Sequence, residues 1–380
     1  MSRFPPNDII HLVGDAPRFD LAESLGPDLR LGDLLGGPSG DGALPRLSDL
    51  PLGYGTAAGD AALRHEIALA HGVTADDVVV TTGGMQALFT VAFTLCDAQA
   101  EAVAATPLFP LALNALVAVG ATVRHWPLSF DHGYQPDLER LVDLLSPSTR
   151  LVSMASPQNP SGVAIPMATL QEIVHLVERH APQAHVLIDE TYRQASYGAA
   201  AAPTALALGP RVISTGSLSK CHGAPGLRIG WAITRDAPLR QQLVTAKFNT
   251  AVSCGRLDEA LALHLLRRSP TLLAERAASL AANLDVVARW ARREAEWIDW
   301  IRPDAGALCC VRLKPGVFDD AAVERFHAAL PAHEVRVGDG RWFGESARVF
   351  RLGFGLLTPA TLAEALNAVA ASWRAALAGA

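Results

Sequence analysis

Cysteine is scarce in this chain, and what there is follows no pattern. The five cysteines, Cys96, Cys221, Cys254, Cys309 and Cys310, are odd in number and show no C-x-x-C spacing. No histidine stands at a metal-ligand interval from them. The pattern therefore offers neither a disulfide framework nor a metal site, and points to reduced thiols in a cytoplasmic protein. An excess of positive charge is missing as well. Lys and Arg total 32 against 38 Asp and Glu, a net charge of −6, with a sequence pI of about 6.1. No basic field invites nucleic acid or an anionic membrane. Mean hydropathy is +0.21, yet Gly, Pro or charge interrupts every apolar run well short of a membrane span. The opening Met1-Ser2-Arg3-Phe4-Pro5-Pro6 contains no apolar core of the kind a signal peptide needs. No internal repeat or low-complexity linker appears, and the alanines at 199–202 read as a loop.

What is present is a long chain rich in core formers. With 380 residues, 50% hydrophobic and 18% charged, it can bury one large domain or two ordinary ones. The first fifty residues are punctuated by Pro5-Pro6, Gly14, Pro17, Gly26-Pro27 and Gly36-Gly37-Pro38. They read as an arm that packs on something else, with one short helix. His11-Leu12-Val13-Gly14 either brings backbone close to a ligand or makes a plain turn.

Beyond residue 54, strand and helix signals alternate. A helix is predicted from residue 61, a strand over 78–80, and a helix opening at Gly83-Gly84-Met85. Further strands are predicted over 102–105, 122–126, 151–155, 185–188, 212–213 and 231–233, with helices up to 119, over 138–145 and over 170–179. This alternation calls for an α/β fold with a mostly parallel, helix-covered sheet. In such sheets ligands gather at the carboxyl ends of the strands. Gly84, Phe109, Asn159, Asp189 and Lys220 all fall there. A long helical stretch from Leu261 to about Arg293 then leads to short strands at 309–313 and 348–353 and helices at 320–330 and 361–377. These read as a smaller α+β domain joined by the N-terminal arm. The expected division is an arm at 1–45, a large domain at 46–270 and a small domain at 271–380.

The chain is organised around Ser217-Leu218-Ser219-Lys220, followed at Arg228 by an arginine in a Gly- and Pro-rich loop. A lysine that forms a Schiff base must be held among groups that bind a cofactor phosphate, and serine hydroxyls with a guanidinium fork provide such a site. Alone, the segment equally fits a solvated loop lysine. Gly83-Gly84 between strand and helix places free N–H groups and the helix dipole at one point; alone it also fits an ordinary turn. Asp189 alone fits a helix N-cap, Asn159 a turn residue before proline, Phe109 core filler, Arg351 a strand-edge salt bridge, and Cys221 a small apolar filler.

In this order and spacing the motifs resemble the class I/II aminotransferases, the fold-type I family of pyridoxal phosphate enzymes, from roughly Gly14 to Gly355. The resemblance implies that Lys220 forms the Schiff base with pyridoxal 5'-phosphate and later acts as general base. It implies a phosphate site made of Ser217, Ser219, Arg228 and the backbone of Gly83, Gly84 and Met85. Gly83 and Met85 lack the hydroxyl common in that loop, so the hold would rest more on backbone N–H groups. Asp189 would keep the pyridine nitrogen protonated. Tyr192 and Asn159 would bond the ring's phenolic oxygen, and Phe109 would stack on the ring. Arg351 would bind the substrate α-carboxylate, with Gly14 and Asn159 also on the substrate side. Tyr54 would reach the phosphate of a neighbouring subunit, which implies a homodimer.

The implied activity is an aminotransferase moving the amino group of an L-amino acid to a 2-oxo acid. Relatives on this scaffold also run eliminations, decarboxylative condensations, cyclisation of arginine derivatives and oxygen-dependent oxidations, so another pyridoxal phosphate reaction is the alternative. Residues 12–20 carry acids that could meet a basic side chain, and Arg256 and Asp258 stand where small or amide residues are more usual. Both pairings also fit surface or interface charge. A nicotinamide dehydrogenase would need GxGxxG after the first strand, which Gly83-Gly84 does not supply. A silent protein of the same fold would be expected to lack Lys220 or Asp189, and both are present.

Overall fold

Strands that carry Val, Ile and Ala without polar alternation need cover on both faces, and the computed structural model meets that need with a central seven-stranded sheet. The structure describes residues 3–12, 15–35 and 49–378. In chain order the strands are β1 (Phe19–Leu21), β2 (Val78–Thr82), β3 (Glu101–Thr106), β4 (Thr122–Pro127), β5 (Thr149–Ala155) and β6 (His185–Asp189). They continue with β7 (Val212–Ser217), β8 (Ile229–Thr234), β9 (Ile298–Trp300), β10 (Leu308–Leu313), β11 (Val335–Asp339) and β12 (Val349–Gly353).

The large sheet runs β2-β8-β7-β6-β5-β3-β4. Its pairs are parallel except at β8, which is antiparallel to both neighbours. All residues of β7 and β8 are buried, whereas edge strand β4 is half open to solvent. Register places Ala155, Asp189 and Thr215 side by side at one end of β5, β6 and β7. Three strands therefore deliver side chains to one end of the sheet.

The second sheet is five-stranded, β1-β11-β12-β10-β9. Here the N-terminal arm returns to the C-terminal part, because β1 pairs parallel with β11. The pairs Trp290–Trp373 and Phe326–Phe350, with ring centroids 5.6 and 5.4 Å apart, fill the core beneath it. Gly353 and Gly355 leave no room for a Cβ against the carbonyl oxygens of Glu23 and Leu25. The arm accordingly runs hard against the end of β12.

Several elements differ from expectation. The helical stretch from Leu261 is two helices, Arg256–Arg267 and Ser269–Arg293. Pro270 cannot continue a helix but suits a first turn, so a new helix starts there. The helix Ala237–Ala251 was not foreseen: its buried face is only Leu239, Leu243 and Lys247, and the lysine hides the periodicity. Strands β1, β9 and β11 are short or mixed in polarity, and only pairing in the sheet defines them. Among the described residues no helix is long and apolar enough to cross a membrane.

Candidate active site

Lys220 sits just past the end of β7, half-buried, in a turn closed by bonds from the Leu218 N–H to the Ile229 carbonyl (3.1 Å) and from the Ala224 N–H to the Leu218 carbonyl (3.1 Å). Burial lowers its pKa to about 8. Glu23 opposes that shift, Arg351 adds to it, and Asp28 and Asp189 oppose it further. An amine brought this close to neutrality is a better nucleophile and base near physiological pH.

Beside it lies a cradle for an anion. β2 passes directly into the helix Gly83–Leu95, so the first-turn N–H groups lack helical partners. Gly83 adopts φ +74°, and a Cβ there would overlap the Arg228 guanidinium. The backbone of Gly83 and Gly84 likewise leaves no room for a Cβ on Gly230 of β8. Ser217 borders Gly84, and its Oγ accepts the Ser219 N–H at 3.3 Å. Arg228 is exposed, held at φ +51°, and donates from Nη1 to the Pro225 carbonyl at 2.8 Å. A left-handed non-glycine residue is costly and persists where its surroundings enforce it. The Met85 side chain packs against the neighbouring apolar cluster.

Asp189 ends β6. Its Oδ1 accepts the Thr191 N–H (3.1 Å) and the Thr191 hydroxyl (2.6 Å). Burial still raises its pKa above the usual carboxylate value, with those bonds opposing. Such a carboxylate calls for a cationic partner. Tyr192 is buried, its Oη 2.8 Å from Ser24 Oγ, and burial pushes the phenol up to about 12. Phe109 is half-buried at the start of the helix Pro110–Ala118. Its loop is tied down by Gln158 Nε2 donating to the Pro107 carbonyl (3.0 Å) and the Leu108 N–H donating to the Phe343 carbonyl (3.1 Å).

Arg351, on β12, is only 3% exposed. Its Nη1 donates to Asn159 Oδ1 at 2.9 Å, and its Nη2 to the Ala22 carbonyl. The guanidinium lies 4.6 Å over the Phe343 ring. Its buried Nε has no hydrogen-bond partner among the described residues. Burial lowers its pKa.

Pairwise contacts link these residues: Asn159 bonds Arg351, Arg351 and Asp189 act on both Lys220 and Tyr192, and Ser217, three residues before Lys220, borders Gly84 of the cradle. Gly14 lies outside the described residues. Tyr54 stands apart, 88% exposed, on a loop anchored by the Gly55 N–H to Ser253 Oγ (3.3 Å) and the Asp60 N–H to Glu259 Oε1 (3.1 Å). Arg256 and Asp258 head the helix beside that loop. Sequence reasoning missed Ala22, Ser24 and Arg276, which borders the cleft beside Lys220. The arm's small residues gave no periodic signal; Thr191, two residues after an aspartate, was readable as an Asx turn.

Residues 50–369 match the family described as aminotransferase class I and II. The chain is 31% identical to capreomycidine synthase of Streptomyces vinaceus, over 82% of this chain and 79% of that protein. It is 29% identical to arginine–pyruvate transaminase of Pseudomonas aeruginosa, over 77% and 75%. A crystal structure of a PLP-dependent aminotransferase from Streptococcus suis superposes with a TM-score of 0.85 at 25% identity, covering 94% of each chain. The residues present suit pyridoxal 5'-phosphate. The cradle has room at glycines where a Cβ would intrude, the desolvated Asp189 carboxylate needs a cation, and Lys220 supplies an amine whose pKa is lowered to about 8.

Proposed function

The chain belongs to the class I and II aminotransferases, pyridoxal phosphate-dependent enzymes acting on amino acids and 2-oxo acids, and on that premise we propose that it moves the amino group of an L-amino acid to a 2-oxo acid at Lys220. When bound, the cofactor supplies an aldehyde carbon for the amino group and a ring that accepts electrons from the substrate carbon. Gly83, Gly84, Met85, Ser217, Ser219 and Arg228 would hold its phosphate. Asp189 would hold a proton on the ring nitrogen, Tyr192 and Asn159 would bond the ring oxygen, and Phe109 would cover one face.

Arg351 binds the substrate carboxylate in this reading. The guanidinium fork suits a planar anion, and Asn159 and the Ala22 carbonyl fix its plane. That would orient the α-carbon toward Lys220, whose Nζ would take the α-proton and hold it for return in the course of transfer. The observation that carries the reading is a Lys220 amine whose pKa burial lowers to about 8, together with a buried Arg351 that bears an unpaired donor.

Tyr54 would act across a homodimer interface. Its exposure, with that of Leu52 (88%), Phe248 (53%) and Leu257 (43%), supports an apolar face awaiting cover. Sedimentation as a monomer at micromolar concentration would contradict this.

A second reading keeps the same residues but ends in a different reaction; the likeness to capreomycidine synthase favours it. Purified enzyme incubated with single amino acids, with and without a 2-oxo acid and oxygen, separates the two. Amine transfer that depends on the acceptor supports the first. Loss of amine only with oxygen, or ammonia release without an acceptor, overturns it.

A further inference from the structure

Discrimination among amino-acid side chains must come from groups around the approach to Lys220. One segment that reaches it bears charge. Residues 22–25 pass over the end of β12, where Gly353 and Gly355 admit their carbonyls. Two bonds then fix this segment: the Ala22 carbonyl accepts from Arg351, and Ser24 Oγ pairs with Tyr192 Oη at 2.8 Å. Gly26 and Pro27 continue along the cleft that Lys220 lines.

Glu23 lies between the two anchors, half-buried. Its carboxylate makes no hydrogen bond or ion pair with the described residues. It is the strongest charge acting on Lys220, and it acts on Arg351 too. Both cations have other work in the reaction, Lys220 with the cofactor and Arg351 with the substrate carboxylate. Once they are engaged, the Glu23 carboxylate keeps a charge that nothing else in the segment balances, which is unfavourable in a partly desolvated cleft. Asp28, exposed farther along the same loop, adds negative potential at the mouth. Arg276 is turned to the loop backbone, donating to the Pro27 carbonyl at 2.7 Å.

We propose that Glu23 is a specificity-determining residue, and that the amino-acid substrate carries a cationic side chain, a guanidinium or an ammonium, which the Glu23 carboxylate receives. The proposal rests on the aminotransferase reading above. A charge-assisted bond from a guanidinium to a carboxylate is strong and geometrically selective, so a neutral side chain of equal shape should be rejected. The competing role for Glu23 is that of a permanent counter-ion for Lys220.

Arginine and citrulline differ in this charge at nearly equal shape, so they discriminate the two roles. Calorimetric titration of the cofactor-loaded enzyme should show L-arginine binding at least about tenfold tighter than L-citrulline, with L-glutamate weaker still. Glu23→Gln should bring the arginine-to-citrulline ratio close to one while citrulline binding stays within about twofold, and Glu23→Asp should keep part of the preference. Equal binding of arginine and citrulline by the unaltered enzyme overturns the proposal, as does tighter binding of glutamate. A Glu23→Gln change that weakens both ligands equally assigns Glu23 to Lys220 and also overturns it. Failure of the aminotransferase reading shows separately, as arginine that binds selectively but yields no 2-oxo acid.

Discussion

The Arg351 guanidinium donates to the Asn159 side-chain oxygen at 2.9 Å across 192 residues of sequence, joining the small sheet to the large one. Since that oxygen is committed to Arg351, Asn159 has its amide N–H groups left to offer. The bond also fixes the plane of the guanidinium that, in the proposed function, receives the substrate carboxylate. Replacing Arg351 with Lys should raise the KM for the amino acid by roughly 10- to 100-fold, the equivalent of about 1.5–3 kcal/mol for a charged hydrogen bond. Steady-state kinetics with the cofactor saturating checks this. An unchanged KM would place carboxylate binding elsewhere.

Asp189 is predicted to matter for the chemical step more than for folding. In Asp189→Asn the amide oxygen can still accept both Thr191 bonds, which hold the loop in place. The charge opposite the ring is lost, a change worth roughly 3–5 kcal/mol for breaking a buried ion pair. Stopped-flow absorbance should show the half-reaction with amino acid slowed by about 10²- to 10³-fold, with the melting temperature little changed.

Lys220 gives a pH dependence of defined sign. Its folded pKa of about 8 lies below the ordinary 10.5 because burial disfavours the charged amine. In enzyme stripped of cofactor, the reactive neutral amine therefore grows about tenfold per pH unit up to about 8 and then levels off. The rate of cofactor capture should follow that curve. Between about 8 and 10.5 the unfolded chain holds a proton that the folded one does not, so this group makes the stripped enzyme more stable as pH rises.

Gly83 is predicted to be intolerant of even one methyl. Its φ of +74° costs an L-residue about 1–2 kcal/mol, and the new Cβ must also displace the Arg228 guanidinium. Gly83→Ala should weaken cofactor binding by at least about tenfold, measured by fluorescence titration of stripped enzyme. Gly226, where a Cβ would meet nothing within 4 Å, serves as the control substitution.

Legibility from sequence followed how local each signal was. Buried parallel strands such as β6 are continuous apolar runs, so they announced themselves, and β6 and β7 end on Asp189 and Ser217. The cradle was readable because strand, glycine pair and helix are contiguous at Val78–Leu95. Contacts between distant segments left no trace: nothing in residues 22–24 foretells Ser24 against Tyr192 or the Ala22 carbonyl against Arg351. Those bonds depend on β1 pairing with β11, a long-range event. The arm was assigned to the substrate side through Gly14, whereas the described part that reaches the site is at 22–27. Lys247, fully buried in the helix Ala237–Ala251, broke the apolar pattern that would have revealed that helix.

The central claim is that one amine, Lys220, carries the cofactor aldehyde. Borohydride reduction of the purified, cofactor-loaded enzyme, followed by peptide mapping by mass spectrometry, tests it most directly. The account predicts a phosphopyridoxyl group on the peptide containing Lys220 and none in the Lys220→Ala protein. The same group fixed at another lysine, or equal labelling of the alanine variant, would contradict it.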